Sequence, residues 1–173
     1  MESGQRVMRR PPAWAVLGTV IGAPLFIGGV IVYIPWRFTH WRLAPAWFGF
    51  EPLRWLGAAL ILLSVPILID FLVRFVIEGF GTPIPLAPPQ RLVVRGSFRF
   101  VRNPAYLAAL LAILGQALLF SSGGVLVYAL ILALGFHLFV VGYEEPSLQD
   151  KFGAEYELYR RSVPRWIPRV PRR

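Results

Sequence analysis

The chain contains no cysteine, which excludes disulfides, thiolate metal centres, cysteine nucleophiles and lipid attachment through cysteine. Histidine is scarce as well: only His40 and His137 are present, and no metal site is expected. There is no glycine-rich dinucleotide fingerprint. Charged residues make up 16% of the 173 positions and acids number nine, too few for a soluble domain of this length. Apolar residues fill the gap at 56%, with a mean hydropathy of +0.58, so residues 1–173 are expected to form a single membrane domain. The net charge of +9 is almost entirely arginine and sits in the polar segments. In a membrane chain that pattern marks cytoplasmic loops. Nucleic acid is not an expected partner, because no soluble basic domain exists to carry it.

Taken in order, the sequence predicts an all-α polytopic membrane protein with about four spans, near 14–33, 53–75, 104–120 and 125–141, and a C-terminal amphipathic interfacial helix. The first span is followed by Ile34-Pro35-Trp36-Arg37, too bulky for a signal-cleavage site, so it is expected to stay uncleaved. Residues 35–52 hold Trp36, Trp41 and Trp47 beside Arg37, His40 and Arg42, the composition of a segment at the lipid–water boundary. The second span contains Pro66 and ends with Asp70 and Arg74, four residues apart, with Glu78 one turn further. An ion pair is the simplest reading of these charges. Two glycines and four prolines between 79 and 89 exclude a helix and predict an irregular surface loop. The last two spans form a hairpin around Ser121-Ser122-Gly123-Gly124, which returns residues 91–102 and Glu144-Glu145 to one side. In the tail, Leu148, Phe152, Tyr156, Tyr159 and Val163 recur at helical spacing. That stripe fits either a lid on a site or a plain interfacial helix. Arginine counting places both termini and the 79–103 loop in the cytoplasm, at the inner membrane of the cell.

The segment Val94–Tyr106 carries three arginines between apolar runs. Asn103 is a good helix N-cap and Pro104 suits the first helical position, so a helix is expected to start there. Its free amides, with Arg102 beside them, form the best anion site in the chain. Arg102-Asn103-Pro104-Ala105-Tyr106 resembles the Arg-His-Pro-x-Tyr signature of the isoprenylcysteine carboxyl methyltransferase family, which is related to phospholipid methyltransferases, and Gly96-Ser97-Phe98 resembles the turn that precedes it. Glu144-Glu145-Pro146, Phe152-Gly153, Tyr156, Tyr159 and Val163-Pro164-Arg165 resemble its C-terminal block. The resemblance covers the C-terminal half.

It implies methyl transfer from S-adenosylmethionine to a lipophilic acceptor, a lipid or an isoprenylcysteine-like molecule. The cofactor region is then 90–106 plus 144–165. By carry-over its contacts are Gln90, Arg91, Leu92, Val93, Phe98, Asn103, Pro104, Ala105, Tyr106 and Glu144. His137, Glu145 and Arg102 are the candidate catalytic groups. Seven residues separate His137 from Glu144, nearly two helical turns, so both are expected on one face, where a neutral imidazole could accept a proton. Three departures stand out: Asn103 replaces the family's histidine, Phe98 a tyrosine, and Val140 an arginine that holds the substrate carboxylate in the eukaryotic branch. With that arginine missing, methylation of nitrogen or oxygen on a lipid fits better than a prenylcysteine ester. Each residue also has a plain structural role open to it: Asn103 as a cap, Arg102 as an interfacial anchor, Glu144-Glu145 as the acidic start of the tail helix, His137 as packing. An NADPH-dependent membrane reductase and a non-enzymatic lipid-binding protein are the alternatives.

Overall fold

The computed structural model describes residues 24, 25, 27–74 and 92–170. Most of the first expected span, the proline-rich stretch 79–89, Glu78, Gln90 and Arg91 therefore lie outside the described residues. Among the described residues all regular structure is helical. Lipid cannot hydrogen-bond a backbone, and helices satisfy theirs internally.

The first described segment is a wide, π-type turn, Gly28–Tyr33, that runs straight into α1, Ile34–Thr39. Helix thus extends past residue 33 into the stretch read from sequence as interfacial. Pro35 does not stop it, because the carbonyls one turn back that its missing N–H leaves open find donors elsewhere. A wide turn leaves carbonyls poorly matched, and here other helices supply donors. Gln116 Nε2 donates to Ile31 O at 2.8 Å and Tyr128 Oη to Val30 O at 3.0 Å. His40 and Trp41, both at positive φ, then end the helix.

α2, Pro52–Arg74, has 23 residues and an exposed apolar face that includes Leu62, Leu63, Ile69 and Val73. At 1.5 Å per residue it spans about 35 Å, enough for a hydrocarbon core of ~30 Å. α3, Pro104–Leu119, is the buried centre, with Ala108, Ala109, Ala112, Ile113 and Ala117 all shielded. Its small residues let α2 approach until backbones touch. A Cβ added to Gly57 would lie 2.6 Å from Gly115 O, and one on Gly115 would lie 2.6 Å from Gly57 O.

Ser122 Oγ accepts from Val125 N at 3.3 Å and caps α4, Gly123–Phe139. Gly123 and Gly124 thus belong to the helix, not to the turn, and Phe38 packs where a Cβ on Gly124 would sit. After α4 a second wide turn, Val140–Glu144, leads into α5, Glu145–Phe152. Gly153, at φ +51°, separates α5 from α6, Ala154–Ser162. The tail is therefore two helices with a break, not one, since no continuous α-helix accommodates a left-handed residue. Among the described residues two helices are long and apolar enough to cross a membrane, Pro52–Arg74 and Gly123–Phe152; Pro104–Leu119 is apolar but shorter.

Candidate active site

α2 fixes the start of the motif segment. Asp70 Oδ1 accepts from Arg74 Nε at 2.8 Å, and Asp70 Oδ2 accepts the Ser97 backbone N–H at 2.7 Å. The ion pair expected from sequence therefore has a second task, holding the 3₁₀ turn Gly96–Arg99 against the end of the span. Gly96 sits at φ +59°, and any Cβ there would collide with the Arg74 guanidinium. The Phe71 and Phe98 rings meet at 6.0 Å, on the same seam.

The helix starts at Pro104 as its sequence predicts, but Asn103 does not cap it. The Asn103 side chain, only 7% exposed, instead donates Nδ2–H to Arg165 O at 3.1 Å. One residue earlier, Arg102 N–H donates to Pro164 O at 2.9 Å. Further along, Arg169 N–H reaches Phe100 O at 3.0 Å. Residues 164–169 thus lie antiparallel to 100–103. An incoming tail offers carbonyls that a local cap does not, and the asparagine amide follows them.

The tail also brings the second guanidinium. Arg165 grips Glu145 with both arms, Nε to Oε1 at 2.7 Å and Nη2 to Oε2 at 2.9 Å, while Arg102 Nη1 lies 2.9 Å from Glu145 Oε1. Arg102 Nη1 also donates to Tyr156 Oη at 3.3 Å. Both carboxylate oxygens of Glu145 therefore meet arginines, and Glu145 orders the cluster. Two guanidiniums against one carboxylate leave a net positive charge. The bonds to Glu145 hold the Arg165 proton more tightly than usual. Burial, reinforced by the charge of Glu145, pushes the Tyr156 hydroxyl above the ordinary tyrosine range; burial does the same to Tyr159, which donates to Phe98 O at 2.8 Å.

On the other side of the hairpin, Tyr106 Oη donates to Glu144 Oε2 at 3.0 Å, and the Tyr106 ring packs on Phe136 at 4.6 Å. Glu144 is the last residue of the wide turn. A π turn takes up about one extra residue, which rotates the side chains after it by roughly 100° relative to an uninterrupted α-helix. Glu144 and His137 have different partners: Glu144 meets Tyr106, and His137 meets Trp166, while Tyr106 and Trp166 both pack on the cluster around Phe136. His137 is exposed, and its Nδ1 accepts from Trp166 Nε1 at 3.1 Å. That bond engages the one lone pair of a neutral imidazole.

Arg102, Asn103, Tyr106, Glu144 and Glu145 thus come together from the two sequence blocks. Leu92 and Phe98 join through the tail, Leu92 by packing on the buried cluster of Tyr156, Tyr159 and Val163, and Phe98 through its carbonyl. Val93 and Pro104 are buried and Ala105 partly so. Arg165 and Trp166 were not among the candidates; the Val163-Pro164-Arg165 match was the signal for the first, and nothing in the sequence marks the second. Among the described residues no group of acids and histidines could hold a metal ion.

One family profile, phospholipid methyltransferase, matches residues 53–155, more than half of the chain and both halves of this cluster up to α6. The chain belongs to the phospholipid methyltransferase family. No curated protein and no solved structure matches it. A phospholipid methyltransferase family member with two membrane-length apolar helices is a membrane protein, and methyl transfer is the activity its family implies.

Proposed function

We propose that this chain is a single-domain, multi-pass methyltransferase of the inner membrane that uses S-adenosylmethionine and methylates nitrogen or oxygen of a lipid or similarly lipophilic acceptor. Both termini face the cytoplasm, where the cofactor is. The observation that carries the reading is the juxtaposition of Tyr106–Glu144 with the Arg102–Glu145–Arg165 cluster at one end of the hairpin.

The residues fit the cofactor's amino-acid end, which pairs an ammonium with a carboxylate. Glu144 uses one oxygen on Tyr106, and its other is the natural acceptor for the ammonium. The arginine cluster keeps a net positive charge, and Arg102 Nε is buried with no hydrogen-bond partner among the described residues. A buried donor in that state is costly unless a ligand acceptor meets it. The amides at the start of α3 add partial positive charge beside it. Phe98, Tyr106, Leu92 and Val93 supply an apolar, aromatic wall, which a sulfonium favours. Gln90 and Arg91 complete the contacts by resemblance.

When bound, S-adenosylmethionine supplies an electrophilic methyl group. The chain's residues then orient, exclude water and hold charge; displacement at a methyl demands little acid–base help. Glu145 positions Arg102 and Arg165. Val140 offers no cation for a substrate carboxylate, which favours an amine or hydroxyl acceptor reaching the site from the bilayer. His137 can serve as a base only after Trp166 releases it. The test is a thermal-shift titration of detergent-purified protein. Stabilisation by S-adenosylhomocysteine is expected; stabilisation by NADPH with no response to S-adenosylhomocysteine would transfer the site to the reductase reading.

A further inference from the structure

Beyond the cluster, residues 94–100 and the antiparallel tail segment 164–170 present a common outer surface. Its apolar members are large and open to the outside: Ile167 is 81% exposed and Val170 77%, with Val94 and Phe100 also exposed. Arg95, Arg99 and Arg169 are exposed among them and make no ion pair with any described residue. Neither 92–103 nor 163–170 contains an acid.

Water is a poor neighbour for such a surface, since exposed aliphatic side chains clustered with cations mark a contact site. The Asp70–Ser97 bond ties this surface to the end of α2, where the span leaves hydrocarbon. At that depth aliphatic tips can sink below the headgroups while guanidiniums bond phosphate oxygens bidentately. Three unpaired arginines and no acid select for negative charge. We propose that this patch docks on the headgroups of anionic phospholipids in the leaflet it faces, with Ile167 and Val170 inserted and Arg95, Arg99 and Arg169 on the phosphates. Because Arg165 and Trp166 lie in the same segment, docking also seats the part of the tail that closes the arginine cluster.

The absence of native cysteine makes the test clean. An environment-sensitive fluorophore is attached at Ile167→Cys, and in parallel at Val170→Cys, so that failure of one variant to fold leaves the other. The full chain is reconstituted in vesicles of phosphatidylcholine alone or mixed with phosphatidylglycerol, each with brominated acyl chains as quencher. Val127→Cys, on an exposed apolar face of α4, reports correct insertion and is expected to be quenched in both. The tail label is expected to blue-shift and be quenched in the anionic vesicles only. High salt should reverse this, since at 1 M the screening length falls to about 3 Å. Arg95→Gln/Arg99→Gln/Arg169→Gln should lose the response and the corresponding lysine triple should keep much of it. A tail label that stays water-like in both vesicle types would overturn the proposal. So would one equally quenched in both, which would mean that apolar insertion occurs without recognition of anionic headgroups.

Discussion

Replacing Glu145 by glutamine removes the one negative charge that faces two guanidiniums. The side chains of Arg102 and Glu145 are 9% and 11% exposed, so this pair counts as buried, and breaking such a pair costs about 3–5 kcal/mol. Arg165 is nearly a third exposed and can turn to water, so its share is at most about 1 kcal/mol. Glutamine keeps one acceptor oxygen, which puts the expected loss near the bottom of the range, ~3 kcal/mol. For a chain of this size that corresponds to a melting temperature lower by roughly 6–12 °C, followed by tryptophan emission in detergent. A double variant separates the buried charge from the packing. Arg102→Leu with Glu145→Leu buries no charge, and Arg165 relaxes outward, so this protein should melt within about 1 kcal/mol of the parent while losing affinity for S-adenosylhomocysteine. A Glu145→Gln protein that melts like the parent, or a double variant less stable than the single one, would show that the cluster is solvated and that no buried pair holds it.

Glu144→Gln is expected to weaken S-adenosylhomocysteine binding by about 1.5–3 kcal/mol, the scale of a charge-assisted hydrogen bond, with the helical content unchanged by circular dichroism. Unaltered affinity would assign Glu144 to the wide turn alone. Gly115→Val puts carbon 2.6 Å from Gly57 O and 2.7 Å from Ile61 Cγ1, and should cost about 1–3 kcal/mol in thermal unfolding, because backbone on the other helix cannot give way. His137→Ala should leave the rate of methyl transfer to an extracted lipid acceptor within about tenfold of the parent, below the 10²–10⁴-fold loss that removing a general base produces.

The helices around the site were legible because hydropathy runs and prolines report them directly. Pro52 and Pro104 open α2 and α3 where expected, and the hairpin at Ser121-Ser122 returns both motif blocks to one end. What escaped depends on chain segments distant in sequence. Asn103 has every local reason to cap, yet the carbonyl of Arg165, 62 residues away, takes its amide. The wide turn Val140–Glu144 was not foreseen either, for apolar periodicity hardly registers one inserted residue. The pairing of Glu145 with Arg165 could not be read from sequence, because the two are separated by two helices. The tyrosine stripe of the tail was visible, but its periodicity could not say that it packs inward against Leu92.

The Asp70 clasp on the Gly96 turn bears on how this enzyme can diversify. It joins the chain at residues 70–74 directly to residues 96–97, so the register of the motif segment does not depend on the connection between them. Lengthening such a connection is cheap, about 0.6 kcal/mol for each doubling. Insertions and deletions between residue 74 and the cofactor-region residues that begin at 90 can therefore accumulate without displacing Arg102 or Tyr106. Gly96 itself has no such freedom: any side chain there must adopt a left-handed backbone and displace the Arg74 side chain, which opens the clasp.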